Sequence, residues 1–121
     1  MVDRGKDSGE ATFLIVDDSP TQVQELQYIL EKCGHRVQSA RNGAEALAML
    51  AKARPTAVIS DVVMPVMDGF ALCRRIKDDP ALGTIPVILL TSLTDPDDVI
   101  RGLECGADYY LNKPCHEAIL N

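Results

Sequence analysis

Three apolar runs in this chain end in groups that could act together. Thr12-Phe-Leu-Ile-Val16 leads into Asp17-Asp18, Ala57-Val-Ile-Ser60 into Asp61, and Pro86-Val-Ile-Leu-Leu90 into Thr91. A weaker run, Asp108-Tyr-Tyr-Leu111, is followed closely by Lys113. If the runs are neighbouring strands, three carboxylates, a hydroxyl and an ammonium meet at one rim. Crowded acids need a reason to exist: two carboxylates about 5 Å apart repel by roughly 3 kcal/mol at an effective dielectric near 20. A hard divalent cation removes that cost, and Mg²⁺ favours one or two carboxylates together with waters and a phosphoryl oxygen. The set therefore reads as a Mg²⁺ (or Mn²⁺) site awaiting a phosphoryl group. Lys113 would hold another phosphoryl oxygen as a point charge, and Thr91 would donate a hydrogen bond to a third.

Such a site requires a particular scaffold. Apolar runs of four to six residues without alternation suit strands buried on both faces of a parallel sheet. Arg36-Val-Gln-Ser-Ala40 alternates and reads as an edge strand. Helical patterns lie between the runs. Val23, Leu26, Leu30 and Cys33 share a face, with Ser19 placed to cap, Pro20 at the first helical position and Gly34 to stop the helix. Ala44, Leu47, Ala48 and Ala51 mark a second helix, and Phe70, Cys73 and Ile76 a third that stops before Asp79-Pro80. Val99, Ile100 and Leu103 mark a fourth, entered through Asp95-Pro96 and closed near Gly106. Strict alternation of strand and helix predicts an α/β domain with parallel strands and right-handed crossovers. Ligands of such sheets gather at the carboxyl ends of the strands, where these polar groups stand.

Composition bounds the rest. At 121 residues, with 46% hydrophobic and 25% charged, the chain suits one globular domain with an adequate core. Residues 1–11 are polar and aperiodic and are expected to form a disordered leader, leaving 12–121 as the domain. A net charge of −6 argues against direct nucleic-acid binding, which depends on clustered Lys and Arg. Cys33, Cys73, Cys105 and Cys115 form no CxxC pair and no zinc spacing, so buried free thiols in a reducing cytosol are expected. The polar start is unlike a signal peptide, and no apolar run reaches the roughly 20 residues of a membrane span. The expectation is a cytoplasmic protein with no membrane partner.

With these residues in order, the chain resembles the receiver domains of response regulators and hybrid histidine kinases. The motifs are Val16-Asp17-Asp18-Ser19, Asp61-Val-Val-Met-Pro-Val-Met-Asp-Gly69, Leu90-Thr91-Ser92 and Lys113-Pro114, with 30 residues from Asp61 to Thr91 and 52 from Asp61 to Lys113. The resemblance spans nearly everything from Thr12 to Pro114. It implies a three-layer, doubly wound, flavodoxin-like sheet of five parallel strands in the order 2-1-3-4-5. It also implies a phosphoacceptor switch that turns over no external metabolite. Asp61 would take the phosphoryl group from a phosphohistidine of a histidine kinase or phosphotransfer protein. Asp18, Asp61 and the backbone carbonyl of Val63 would ligate Mg²⁺, with Asp17 acting largely through water. Lys113 would pair with the phosphate, Thr91 would close on it, and Tyr110 would turn inward as the aromatic switch. Pro65 and Gly69 would shape the loop after the acceptor, and Lys113-Pro114 resembles the family's cis peptide. An output or kinase domain in cis is implied, and the stretch Leu90–Pro114 resembles receivers attached to hybrid kinases more than those attached to DNA-binding domains.

Several residues also have plainer readings. Tyr110 by itself is an ordinary strand aromatic, Asp68-Gly69 a loop-to-helix junction, and Met64 and Met67 packing residues. His116-Glu117 reads as a surface pair. Val63 and Leu93, two past Asp61 and Thr91, are apolar where the family often carries polar residues that position water, so slow loss of phosphate is expected. After Pro114 seven residues remain, which predicts an incomplete last helix, an exposed sheet face and a tendency to homodimerise. An aspartyl-phosphate hydrolase would want a second acid where Val63 stands, and a flavin module would not begin its phosphate loop with Asp17-Asp18. A non-phosphorylated interaction module would have no use for the full reactive set.

Overall fold

The structure is a computed structural model and describes residues 11–91 and 96–112, the last of these by its backbone. Strands β1 (Thr12–Val16), β2 (Arg36–Ala40), β3 (Ala57–Ser60), β4 (Val87–Thr91) and β5 (Tyr109–Asn112) alternate with four helices. These are α1 (Pro20–Lys32), α2 (Gly43–Leu50), α3 (Gly69–Asp78) and α4 (Pro96–Glu104). Every pairing is parallel and the order is β2-β1-β3-β4-β5. The chain leaves β1 toward one edge and returns on its other side as β3. A crevice opens where the winding reverses, beyond the carboxyl ends of β1 and β3.

Local chemistry sets the helix ends. The Ser19 hydroxyl accepts the Gln22 N–H at 3.4 Å with Pro20 in the first turn, as its position predicts. Asn42 accepts the Glu45 N–H at 2.8 Å to start α2, and Asp68 accepts the Ala71 N–H at 2.8 Å to start α3. Each such cap is worth about 1 kcal/mol. Gly34, at φ +91°, takes the left-handed turn that releases α1 toward β2.

The main core lies on one face of the sheet. Leu14 and Val16 of β1, Val58 of β3 and Val87 and Leu89 of β4 pack against Ala46 and Leu50 of α2 and Phe70, Leu72, Cys73 and Ile76 of α3. The alternate positions Ile15 and Ile59 are also buried but stand outside that cluster, on the opposite face. Helix α1 packs on β1 and β2 without contributing to the cluster and buries no residue completely. Among the described residues no helix is long and apolar enough to cross a membrane.

Three expectations need correction. The buried face of α2 is Gly43, Ala46 and Leu50, while Ala44, Ala48 and Ala51 are exposed. Alanine is nearly indifferent to either environment, so a stripe of alanines does not orient a helix. The stripe Val99, Ile100 and Leu103 of α4 faces solvent at 37%, 51% and 66% exposure, and only Gly102 is buried there. Cys33 is an exposed thiol, whereas Cys73 and Cys105 are buried and free as expected. On the α1 side of the sheet, Ile88 and Leu90 of β4 are half-buried, and their register partners Tyr109 and Leu111 of β5 are exposed. Cys115, His116-Glu117, the Lys113-Pro114 bond and the last helix lie outside the described residues.

Candidate functional site

Strands β1 and β3 deliver the acids. Their register pairs Val16 with Ser60, so the next residues, Asp17 and Asp61, leave the sheet side by side. The ladder continues one step past both strands: Asp61 N–H donates to Val16 O at 2.8 Å and Asp17 N–H to Ala40 O at 3.0 Å. One carboxylate oxygen from each of Asp17, Asp18 and Asp61 lies within 4.8 Å of the others. Asp17 is buried, Asp61 half-buried and Asp18 exposed, so the cluster opens to solvent on one side. Charges at that separation repel by about 3 kcal/mol per pair at an effective dielectric of 20. Some of this is offset locally, since Ser19 N–H donates to Asp17 Oδ1 at 3.0 Å and Val62 N–H to Asp61 Oδ1 at 2.8 Å. A donor set of three carboxylates suits a hard, oxygen-seeking divalent cation.

The segment after Asp61 is tightly specified. Gly69 N–H donates to Val62 O at 2.8 Å, closing a loop over residues 62–69. A Cβ at Gly69 would stand 2.2 Å from the carbonyl oxygen of Asp61 and 2.8 Å from Val62 Cα, so only glycine fits. Val66 adopts φ +73° in a three-residue turn in which Met67 N–H donates to Pro65 O at 2.7 Å. Met64 is buried and Met67 half-buried against the main core. The Ser60 hydroxyl, fully buried, donates to the Asp61 carbonyl at 2.8 Å. Val63 stands in this loop with its side chain 59% exposed.

Thr91 ends β4 and is completely buried. Its register partner is Asn112, and Leu89 pairs with Tyr110. Thr91 and Tyr110 therefore share one face of the sheet, diagonally adjacent across two strands. Lys113 is the residue after Asn112 and, with Ser92 and Leu93, lies outside the described residues. The Tyr110 ring points inward. It stacks on Phe70 with centroids 6.5 Å apart and planes at 6°, and it fills the space above Gly102, where a Cβ would meet it at 2.6 Å. Its hydroxyl is buried and finds no partner among the described residues. Burial, with Asp98 nearby, pushes the phenol up from its ordinary value, and Arg101 opposes the shift.

Two features had no sequence signal. Arg101 lays its guanidinium 4.4 Å above the Phe70 ring, on the same aromatic pair that holds Tyr110. Lys77 reaches from α3 to Asp108 at 2.8 Å and also donates to Ile85 O at 2.8 Å and Gly83 O at 3.3 Å. Asp108 in turn accepts Val87 N–H at 2.7 Å. Burial raises the Asp108 carboxyl, but Lys77 and the Val87 N–H outweigh it and hold the group below its ordinary value. The partners are far apart in sequence, so no local spacing announces the clamp.

Comparison with known proteins agrees with this geometry. Residues 13–121 match the family model described as response regulator receiver domain. The chain is 44% identical over 110 residues to the response regulator PleD of Caulobacter vibrioides, covering 91% of this chain and 24% of that protein. It thus spans about a quarter of the length of that relative. It is 41% identical over 110 residues to protein PilH of Pseudomonas aeruginosa, covering 91% of each. Among solved structures, the signal receiver domain of a signal transduction histidine kinase from Syntrophus aciditrophicus superposes with a TM-score of 0.84 at 55% identity, covering 91% of this chain and 83% of that one.

Proposed function

This chain belongs to the response regulator receiver domain family, whose members are phosphoacceptor signalling switches rather than classical enzymes, and we propose that its acceptor is Asp61. The observation that carries this reading is the convergence of Asp17, Asp18 and Asp61 at the point where the sheet reverses its winding. Of the three, Asp61 alone leads into a loop closed on its own backbone by Gly69, which fixes its direction. Its carboxylate oxygen attacks the phosphorus of a phosphohistidine in line, the P–N bond breaks, and the histidine imidazole of the kinase or phosphotransfer protein leaves.

Asp18, Asp61 and the backbone carbonyl of Val63 would hold Mg²⁺ or Mn²⁺, with Asp17 orienting water. The metal, when bound, neutralises the crowded acids and the charge on the incoming phosphoryl group. Lys113 contributes a second positive charge, and the Thr91 hydroxyl donates to the phosphoryl oxygen. Tyr110, on the same sheet face as Thr91, senses that movement and passes it to α4 through its packing on Gly102. Partner affinity then shifts by the difference between the two states.

Residues 12–121 form one receiver unit after a leader at 1–11, in a cytoplasmic protein that regulates an output or kinase domain in cis. The likeness to a histidine-kinase receiver favours a kinase parent. Homodimerisation would use exposed apolar surface, and the net charge of −6 disfavours direct nucleic-acid contact. Incubation with a small acyl phosphate donor tests the reading by intact mass. One phosphoryl group should be gained in Mg²⁺ or Mn²⁺ and lost in chelator, and Asp61→Asn should gain none. Equal labelling of the variant would move the acceptor elsewhere.

A further inference from the structure

We propose that Cys73 and Cys105 are a peroxide-responsive thiol pair, which closes to a disulfide that pins the carboxyl end of α4 to α3. Cys73 lies in the middle of α3 and is fully buried, and Cys105 follows α4 at 5% exposure. The Cys73 Sγ donates to the Cys105 carbonyl at 3.4 Å, and the Cys105 Sγ donates to the Gly102 carbonyl at 3.1 Å. The Cys73 sulfur thus rests directly against the backbone of Cys105.

Their surroundings divide the roles. Cys105 lines a cavity of about 340 Å³ between α3 and α4, with Phe70, Arg74, Arg101 and Glu104 on its other walls. A small oxidant can therefore approach Cys105, while Cys73 lies behind it. The Cys73 S–H, the Ala107 N–H and the positive charge of Arg74 favour the Cys105 thiolate against the opposing effect of burial, lowering it to about 7. The hydrogen bond to Cys105, together with burial, pushes Cys73 up, so it keeps its proton. A thiolate of this kind, partly accessible and beside a cation, is the reactive form of cysteine.

The chemistry balances with hydrogen peroxide as oxidant. The Cys105 thiolate attacks one peroxide oxygen, the O–O bond breaks, and the leaving hydroxide takes a proton to become water. Cys105 is then a sulfenic acid. The Cys73 sulfur attacks the Cys105 sulfur, the S–O bond breaks, and the departing hydroxide takes the Cys73 proton as a second water. Two thiols have been oxidised by two electrons and one peroxide reduced by two. Because Gly102, one turn before Cys105, packs on Tyr110, the bond restrains the part of α4 that the switch would move.

The test uses the full chain with Cys33→Ser and Cys115→Ser, so that only this pair remains. Hydrogen peroxide under native conditions should remove two hydrogens from the intact mass, and a thiol reductant should restore them. Peptide mapping of the unsubstituted chain should find the residue 73 peptide joined to the residue 105 peptide. Cys73→Ala should instead gain one oxygen at Cys105, trapped by a sulfenic-acid reagent, and Cys105→Ser should leave Cys73 unoxidised. No two-hydrogen loss from the folded chain, or equal oxidation of Cys73 in Cys105→Ser, overturns the proposal.

Discussion

Replacing Gly69 with alanine is the sharpest structural test of how the acceptor is positioned. The new Cβ would sit 2.2 Å from the Asp61 carbonyl oxygen and 2.8 Å from Val62 Cα. Both atoms belong to backbone held by Asp61 N–H to Val16 O and Gly69 N–H to Val62 O, each at 2.8 Å, so neither yields easily. Overpacking of this kind costs about 1–3 kcal/mol. Disturbing the Gly69 hydrogen bond adds about 1 kcal/mol. The reduced freedom of the unfolded chain returns roughly 0.4–1 kcal/mol. The net loss expected is about 1–3.5 kcal/mol, or roughly 4–15 °C in Tm for a domain of this size. Two controls separate the causes. At Gly43 the added Cβ meets the flexible Met67 side chain, with Sδ at 2.8 Å, and the loss should stay below about 1 kcal/mol. At Gly34 nothing lies within 4 Å, so the φ of +91° alone should cost about 1–2 kcal/mol. Urea unfolding followed by circular dichroism measures all three. A Gly69→Ala loss under about 1 kcal/mol, or one no larger than that of Gly43→Ala, would refute the reasoning that overpacking costs this much.

Other outcomes follow from individual contacts. Asp108 is held below its ordinary value of 3.8, so its contribution is complete above 3.8 and disappears as pH falls through the lower folded value. Asp108→Asn should therefore lower the urea midpoint above pH 3.8 and flatten the decline below it, and an unchanged acid limb would count against the clamp. Tyr110→Phe removes a buried hydroxyl with no partner among the described residues, so stability should hold or rise by up to about 1 kcal/mol. A loss above about 1 kcal/mol in urea would show that the hydroxyl is bonded. Because Val63 presents an apolar, exposed side chain two residues past the acceptor, phosphate should leave the isolated domain slowly. A time course of intact mass after donor removal checks this, and complete loss within seconds would contradict it.

The parts of this molecule that sequence makes legible are those set by local chemistry. Four apolar runs and the alternating segment Arg36–Ala40 placed the five strands to within a residue, and the acids following β1 and β3 identified the rim where they meet. Ser19, Pro20 and Gly34 marked the ends of α1 because caps and left-handed turns depend on a few neighbouring atoms. The face a helix buries was harder. The alanines of α2 fit either side, and α4 buries only Gly102 while its apolar stripe points outward. Spacing reveals that a stripe exists but not which surface it meets. Long-range pairs were invisible for a similar reason. Lys77 with Asp108, Cys73 with Cys105, and Arg101 with Phe70 are joined only by the folded sheet. The inward packing of Tyr110 on Phe70 belongs to the same class, although its place in the last strand was read from the run Asp108–Leu111.

The assignment of Asp61 is tested most directly by locating the acyl phosphate. The chain is charged with a small phosphodonor in Mg²⁺, reduced with borohydride and digested, so that a phosphorylated aspartate is recovered as homoserine. The account predicts conversion at position 61 alone, lost when the metal is chelated. Conversion at Asp17 or Asp18, or none at position 61 in a folded and metal-loaded chain, would contradict it.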